Sequence, residues 1–170
     1  MKLKISESHV ARWREDLHKA GRREIGGVLF GEQIAEGEFR LIEATRQRFG
    51  GGGAVRFHRR GRPAKKQIEA LHAAHGHRPE RFNYLGEWHS HPNAPAIPSA
   101  RDEATMHQLL ADQAGAVNFL VLVIVRLSKE SVLELSAATY LASGHRLPCR
   151  IVIDALSADP PSFDSSEHEL

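Results

Sequence analysis

Cysteine and long apolar segments are nearly absent from the sequence. Cys149 is the single cysteine among 170 residues, so the chain cannot form an internal disulfide, which fits a reducing compartment. Its neighbours Pro148 and Arg150 do not complete a catalytic dyad, and we expect Cys149 to be a small buried side chain. The longest apolar run, Phe119 to Val125, is far shorter than the roughly 20 residues that cross a bilayer. No apolar signal segment follows the N-terminal Met-Lys-Leu-Lys. These absences predict a cytoplasmic protein with no membrane partner.

An excess of charge of one sign is also lacking. The 23 Lys and Arg residues and 21 Asp and Glu residues give a formal net charge of +2, too small to demand a polyanionic partner. Basic residues nevertheless concentrate in residues 46–62, around four consecutive glycines that favour a mobile loop. No aromatic residues suited to base stacking alternate with these charges. A solvated loop is therefore the first interpretation, contact with an acidic protein the second, and nucleic-acid binding the third.

Alternating strand-like and helix-like segments predict one α/β domain over residues 1–156. The tail, residues 157–170, is rich in Ser, Pro, Asp and Glu, and we expect it to be disordered. The predicted helices cover residues 6–20, 63–75 and 99–114. The predicted strands cover residues 2–5, 24–32, 39–44, 82–88, 117–126, 132–138 and 150–156.

The segment from Glu87 to Asp102, EWHSHPNAPAIPSARD, has the spacing of a metal site. His89 and His91 are two residues apart, so their side chains point the same way at a strand end. The proline-containing loop that follows can return the chain at a helix start, where Asp102 would complete the set. Two imidazoles and one carboxylate leave a fourth tetrahedral position for water, which is typical of a catalytic zinc ion. Other first-row metals would accept the same ligands.

A catalytic metal site also needs a proton acceptor, and the sequence offers three glutamates. Glu24 begins a glycine-containing strand, Glu87 shares a strand face with the histidines, and Glu32 is a weaker third choice. The spacing alone does not choose between Glu24 and Glu87. Ser99 likewise has two interpretations, as the N-cap of a helix or as a hydrogen-bond donor to the oxyanion of a tetrahedral intermediate.

These residues resemble the JAMM motif of the JAB/MPN metallopeptidases, in which an upstream glutamate is followed by His-x-His, seven residues, Ser, two residues and Asp. The sequence has a residue for every position, namely Glu24, His89, His91, Ser99 and Asp102. The resemblance covers roughly residues 24–125 and implies the MPN/JAB fold, a mixed β-sheet flanked by helices that is similar to cytidine deaminases. It implies one catalytic Zn²⁺ held by the two histidines and Asp102, with Glu24 as the base.

The resemblance further implies a substrate class. JAB/MPN enzymes cleave isopeptide or peptide bonds after the C-terminus of ubiquitin-like proteins, and GEWHSHP is especially similar to bacterial members that accompany E1-like and E2-like proteins in antiviral operons. The implied substrate is a ubiquitin-like protein or a conjugated cGAS-like nucleotidyltransferase. Trp88 and Pro92 are expected to form the wall of the site. The alternatives are a non-catalytic interaction module of the same fold, a small-molecule hydrolase or sulfur-carrier processing enzyme that uses the same site, and a DNA-associated module of the same fold.

Overall fold

The computed structural model describes residues 1–46, 61–113 and 116–155. These residues form three helices, α1 (Glu7–Ala20), α2 (Gly61–Ala74) and α3 (Ala100–Asp112). The eight strands are β1 (Lys2–Ser6), β2 (Gly26–Ala35), β3 (Glu38–Ala44), β4 (Phe82–Ser90), β5 (Phe119–Leu127), β6 (Leu133–Leu141), β7 (Arg146–Pro148) and β8 (Arg150–Asp154). In the described part of the chain, no helix combines the length and the apolar character needed to cross a membrane.

All eight strands belong to one mixed sheet in the order β7-β6-β5-β4-β2-β3-β1-β8. The two edge strands, β7 and β8, are consecutive in the chain and are separated only by Cys149. The sheet must therefore curl until its edges meet. At this junction the Cys149 N–H donates to the Ala137 carbonyl of β6, and the Arg150 N–H donates to the Met1 carbonyl beside β1. Cys149 is buried at this junction, and burial raises the pKa of its thiol, as expected for a structural cysteine.

Helix α1 packs on one face of the sheet, which we call the inner face. The Trp13 and Leu17 side chains of α1 pack there against residues of five strands, including Val123 of β5 and Leu41 of β3. Apolar burial on this scale is the main stabilising contribution to such a domain. The inner face therefore holds the main core of the protein.

Helices α2 and α3 cover the opposite, outer face in two separate places. Met106 and Leu110 of α3 pack on Leu122 and Ile124 of β5, whereas Leu71 of α2 belongs to a smaller cluster with Phe30, Ile42 and Phe82. Phe82, at the start of β4, belongs to the α2 packing site, and the later part of β4 runs on toward the strand end beside β5. The outer face of β4 is where the histidines are found.

A β-bulge in β4 decides which side chains face outward. Leu29 pairs with Gly86 and Phe30 pairs with Tyr84, so Leu85 is an extra residue in the ladder. Gly86 has a φ of 143°, and a Cβ there would lie 2.0 Å from the Val121 carbonyl oxygen. Only glycine fits this position. The bulge reverses the alternation, so the side chains of Glu87 and His89 face outward.

The predicted helices and seven predicted strands are confirmed with shifted ends, and the structure adds β7, which the sequence analysis missed. This strand has three residues and ends at Pro148, so it carries little periodic signal. The predicted mobile loop falls almost wholly on residues 47–60, which lie outside the described residues. The predicted disordered tail, residues 157–170, also lies outside them.

Three histidines, His72, His75 and His77, lie close together at the end of α2. The rings of His72 and His75 pack against Phe30, with centroid separations of 5.1 and 5.6 Å. They are half-buried parts of the α2 contact, and only His77 is exposed.

Candidate metal centre

Three predicted metal ligands converge on the outer face of the sheet. His89 lies near the end of β4 and His91 just beyond it, where the His91 N–H donates to the Val125 carbonyl of β5. Asp102 lies in the first turn of α3, which returns across the outer face. The ligand atoms of these three residues lie within 4.8 Å of one another, which makes them a candidate metal-binding group within the described part of the chain.

The spacing of the three ligand atoms fits a tetrahedral ion. Nε2 of His89 lies 3.1 Å from Nε2 of His91 and 3.1 Å from Oδ1 of Asp102, and Nε2 of His91 lies 3.4 Å from Oδ2. Ligands about 2.0–2.1 Å from a tetrahedral Zn²⁺ lie about 3.3–3.4 Å apart, so the observed separations need only small adjustments. The two imidazole side chains are 11% and 10% exposed, so the group borders solvent. The donor set therefore fits a divalent metal, without deciding which one.

Ser99 and Asp102 form a capping box at the start of α3. The Asp102 N–H donates to Ser99 Oγ at 3.2 Å, and Asp102 Oδ2 accepts from the Ser99 N–H at 2.7 Å and from its hydroxyl at 2.6 Å. Burial acts to raise the pKa of Asp102, but the hydrogen bonds from His89 and Ser99 outweigh it and hold the pKa well below its usual range. Asp102 is therefore held as a carboxylate, the form that binds metal. The capping interpretation of Ser99 is confirmed, and its role toward an oxyanion stays a prediction.

The carbonyl group of Pro95 orients His91. Nδ1 of His91 lies 3.0 Å from Pro95 O, and the Ile97 N–H donates to the same oxygen at 2.8 Å. Because a carbonyl only accepts, Nδ1 must carry the proton, which leaves the lone pair of Nε2 for a metal. The sequence analysis missed this contact, since a backbone carbonyl in a loop has no signature in the sequence.

Glu24 lies at the same edge of the sheet as the histidines. Gly26 pairs with His89, and the preceding residue, Ile25, is hydrogen-bonded to Ser90: its carbonyl accepts the Ser90 N–H, and its N–H donates to Ser90 Oγ. Glu24 comes just before Ile25, beyond the paired positions, at the end of the β2–β4 pair where the histidines lie. Its side chain is exposed.

Gly26 lets the two strands approach each other at this point. A Cβ on Gly26 would lie 2.9 Å from the Cβ of His89 and 2.5 Å from the Trp88 carbonyl oxygen. Paired glycines in an otherwise apolar strand were the signal for this close approach.

The two alternative glutamates lie in different surroundings. Glu32 is at the far end of β2, where its carboxylate binds Arg40 and Arg81, and it pairs with Phe82 at the opposite end of β4 from His89. The structure therefore does not bring Glu32 to the metal centre.

Glu87 shares the outer face with His89 and is 7% exposed. Burial raises its pKa to about 8, so at pH 7 the carboxyl group is largely protonated and a poor proton acceptor.

Trp88 does not form the wall of the metal centre, contrary to expectation. Its side chain is on the inner face, 1% exposed, with its ring centroid 5.4 Å from that of Trp13. Its Nε1 donates to the Thr45 carbonyl at 2.9 Å, which connects the end of β3 to the strand that carries the candidate ligand His89. Pro92 lines a cavity on the inner side of the strand end, beside Ser90.

Comparisons with known proteins bear on the family and the fold of this domain. A family model described as prokaryotic homologs of the JAB domain matches residues 6–138. The chain is similar to a protein from Desulfitobacterium hafniense solved in solution, with 16% identity, coverage of 90% of this chain and 93% of that one, and a TM-score of 0.61. A protein from Salinibacter ruber is 21% identical, with coverage of 92% of this chain and 95% of that one and a TM-score of 0.54. A JAB1/MPN domain protein from Archaeoglobus fulgidus is 17% identical, with coverage of 88% and 98% and a TM-score of 0.46. A comparison with curated proteins gave no match.

Proposed function

Because the chain belongs to the prokaryotic JAB-domain family, we propose that it is a zinc-dependent hydrolase of amide bonds. The observation that carries the proposal is the convergence of Nε2 of His89, Nε2 of His91 and the Asp102 carboxylate at separations of 3.1–3.4 Å. Three protein ligands are the number that catalytic zinc sites use, since a fourth position is then left for water or substrate. When bound, zinc would supply a Lewis acid that lowers the pKa of water and polarises the amide carbonyl.

The side chains around the metal centre have separate roles in this proposal. Glu24 accepts the proton of the attacking water at its carboxylate and passes it to the leaving amine. Its position two residues before Gly26, which pairs with His89, and its exposure to solvent support this role, and the buried, largely protonated Glu87 is less suited to it. Ser99 donates its hydroxyl proton to Asp102 in the resting protein and would redirect it to the oxyanion that forms from the carbonyl.

For the substrate, we propose the amide bond that follows the C-terminus of a ubiquitin-like protein or of a conjugated cGAS-like nucleotidyltransferase. The support is the likeness of Glu24, GEWHSHP and the Ser99–Asp102 pair to the JAMM motif of bacterial deconjugating enzymes. Cleavage would release the modifier or process its precursor, in a system that includes E1-like and E2-like proteins and serves antiviral defence in the cytoplasm.

The first experiment combines zinc content with cleavage. Purified protein is loaded with zinc and incubated with linear fusions and isopeptide conjugates of each of the two substrate proteins, with and without a chelator. We expect one zinc per chain and cleavage that the chelator abolishes. Glu24→Gln should keep the zinc and lose roughly 10²–10⁴-fold in kcat, because it removes the proton acceptor without removing a ligand.

Two further variants separate the roles of the residues. His89→Ala should lose both zinc and cleavage, whereas Glu36→Gln, in the exposed turn between β2 and β3, should change neither. Full activity of Glu24→Gln would refute the assignment of the base. Zinc binding without cleavage of any fusion would instead support the non-catalytic interaction module.

A further inference from the structure

The cavity beside Ser90 and Pro92 lies directly behind the metal centre, on the inner face of the sheet. Its volume is about 150 Å³, and it is lined by residues at the end of α1, in the segment that leads to β2, and at the ends of β4 and β5. Ser90, which lines it, stands between the two candidate metal ligands His89 and His91. The cavity therefore shares a strand with the metal centre but opens from the other side of that strand.

The apolar part of this cavity is small. Leu17, Pro92 and Leu127 line it. A cavity of about 150 Å³ in an apolar setting holds a group the size of benzene. The cavity thus fits a single short side chain or a small molecule, rather than a longer stretch of polypeptide.

The polar part of the cavity offers hydrogen-bond donors. The Arg23 Nε and one of its terminal nitrogens donate to the Ala20 and Lys19 carbonyls at the end of α1, at 3.3 and 3.5 Å. These contacts are long and hold the guanidinium in place, and among the described residues no acidic side chain pairs with it or lines the cavity. An arginine in this position favours an anion.

Ser90 adds a second donor that is almost completely buried. It is 1% exposed, and its oxygen accepts the Ile25 N–H at 3.0 Å. Within the described parts of the chain, no group accepts a hydrogen bond from its hydroxyl, so this donor is left for a ligand. Buried donors are normally satisfied, and a ligand oxygen in the cavity would satisfy this one.

We propose that this cavity is a binding site for a small carboxylate, held by Arg23 and Ser90, with its apolar stem against Leu17, Pro92 and Leu127. The carboxylate comes either from an acidic side chain of the polypeptide substrate or from a free small molecule. In both cases the ligand bridges the segment before β2 and the end of β4. Arg23 immediately precedes Glu24, so a bound carboxylate also fixes the backbone next to the proposed base.

Binding is tested in the metal-free full chain by NMR titration with butyrate, with butyramide as the neutral probe of the same shape. The absence of zinc removes the competing carboxylate site at the metal. We expect butyrate to shift the amide signals of Ile25, Ser90 and Leu127, and to bind at least about 10-fold more tightly than butyramide because the contact with arginine is charge-assisted. Arg23→Gln should weaken butyrate binding by about 10-fold.

Arg22→Gln is the matched control, because Arg22 is exposed like Arg23 but does not line the cavity. It should leave butyrate binding within about twofold. Equal binding of butyrate and butyramide, shifts confined to other regions, or equal losses in the two arginine variants would each overturn the proposal. None of these results depends on cleavage, so the site is tested even if the proposed hydrolase activity fails.

The source of the carboxylate is decided by kinetics with matched substrates. Fusions that differ only by Glu or Gln near the scissile bond are compared with the wild-type protein and with Arg23→Gln. If the carboxylate comes from the substrate, Arg23→Gln lowers kcat/KM for a Glu-containing fusion and leaves the Gln-containing one unchanged. If the carboxylate is a free molecule, the Glu and Gln fusions respond alike, and added butyrate changes both rates in the wild-type protein but not in Arg23→Gln.

Discussion

Replacement of Glu87 by Gln should stabilise the metal-free protein, increasingly so as the pH rises. Glu87 is buried, and its pKa is raised from 4.5 to about 8. Between these two pH values the folded state holds one proton more than the unfolded state, so the free energy of unfolding falls by about 1.4 kcal/mol per pH unit. Gln has nearly the same shape and does not ionise, so the variant lacks this loss. The difference between the two proteins reaches an upper limit of about 5 kcal/mol above pH 8.

Chemical denaturation of both proteins between pH 4 and pH 9 measures this difference. Taking the difference at each pH cancels the contributions of His89, His91 and Asp102, which both proteins share. We expect the two free energies of unfolding to be nearly equal at pH 4 and their difference to grow by about 3.5 kcal/mol between pH 5 and pH 8. Glu36→Gln, in an exposed turn, should show no comparable growth.

Two results would refute the reasoning. A difference that grows by less than about 1 kcal/mol between pH 5 and pH 8 would mean that Glu87 is hydrated or relaxes outward when it ionises. A variant less stable than wild type at pH 8 would mean that the carboxylate makes a favourable contact that Gln does not replace.

Substitutions at three further positions test how the metal centre is built. Gly26→Ala should weaken zinc affinity by roughly 10–100-fold, because the added Cβ would lie 2.9 Å from the Cβ of His89. Competition with a chelator measures the affinity, and an unchanged value would contradict the close approach. Trp88→Phe should lower the free energy of unfolding by about 1–2 kcal/mol, because the Thr45 carbonyl loses its indole donor; denaturation curves that coincide with wild type would show that this bond contributes nothing. Ser99→Ala should lower the free energy of unfolding by about 1 kcal/mol through loss of the N-cap, and Ser99→Thr should retain most of the wild-type stability. An equal loss of stability in both variants would argue against capping as the cause.

The local sequence was sufficient to predict the ligand set. His-x-His places two imidazoles on one side of an extended chain, and Ser99 and Asp102 three residues apart form a capping box whatever the rest of the fold does. Apolar periodicity likewise located the three helices and seven of the eight strands to within a few residues. These features depend on neighbours in the chain, so the sequence determined them directly.

The surroundings of each side chain depended on tertiary structure. The bulge at Gly86 reverses the alternation of β4, so simple counting from Tyr84 would have placed His89 on the inner face with the core. Because of the same reversal, the Trp88 side chain packs under α1 and the Glu87 side chain is buried on the outer face. A bulge is defined by pairing with a distant strand, here β2, and this pairing is not visible in the residues of β4 alone.

The choice among the three glutamates separates the two kinds of information most clearly. Residue type and strand pattern left Glu24 and Glu87 open as candidates and Glu32 as a weaker one, because a strand pattern states only which way a side chain points; the likeness to the JAMM motif then favoured Glu24. The folded sheet puts Glu32 toward the far end of β2 with two arginines, Glu87 in a buried position, and Glu24 at an exposed position just before the β2–β4 pairing at His89. Charge and burial arise from contacts between segments far apart in the chain, so the surroundings of these carboxylates could be seen only in the folded sheet.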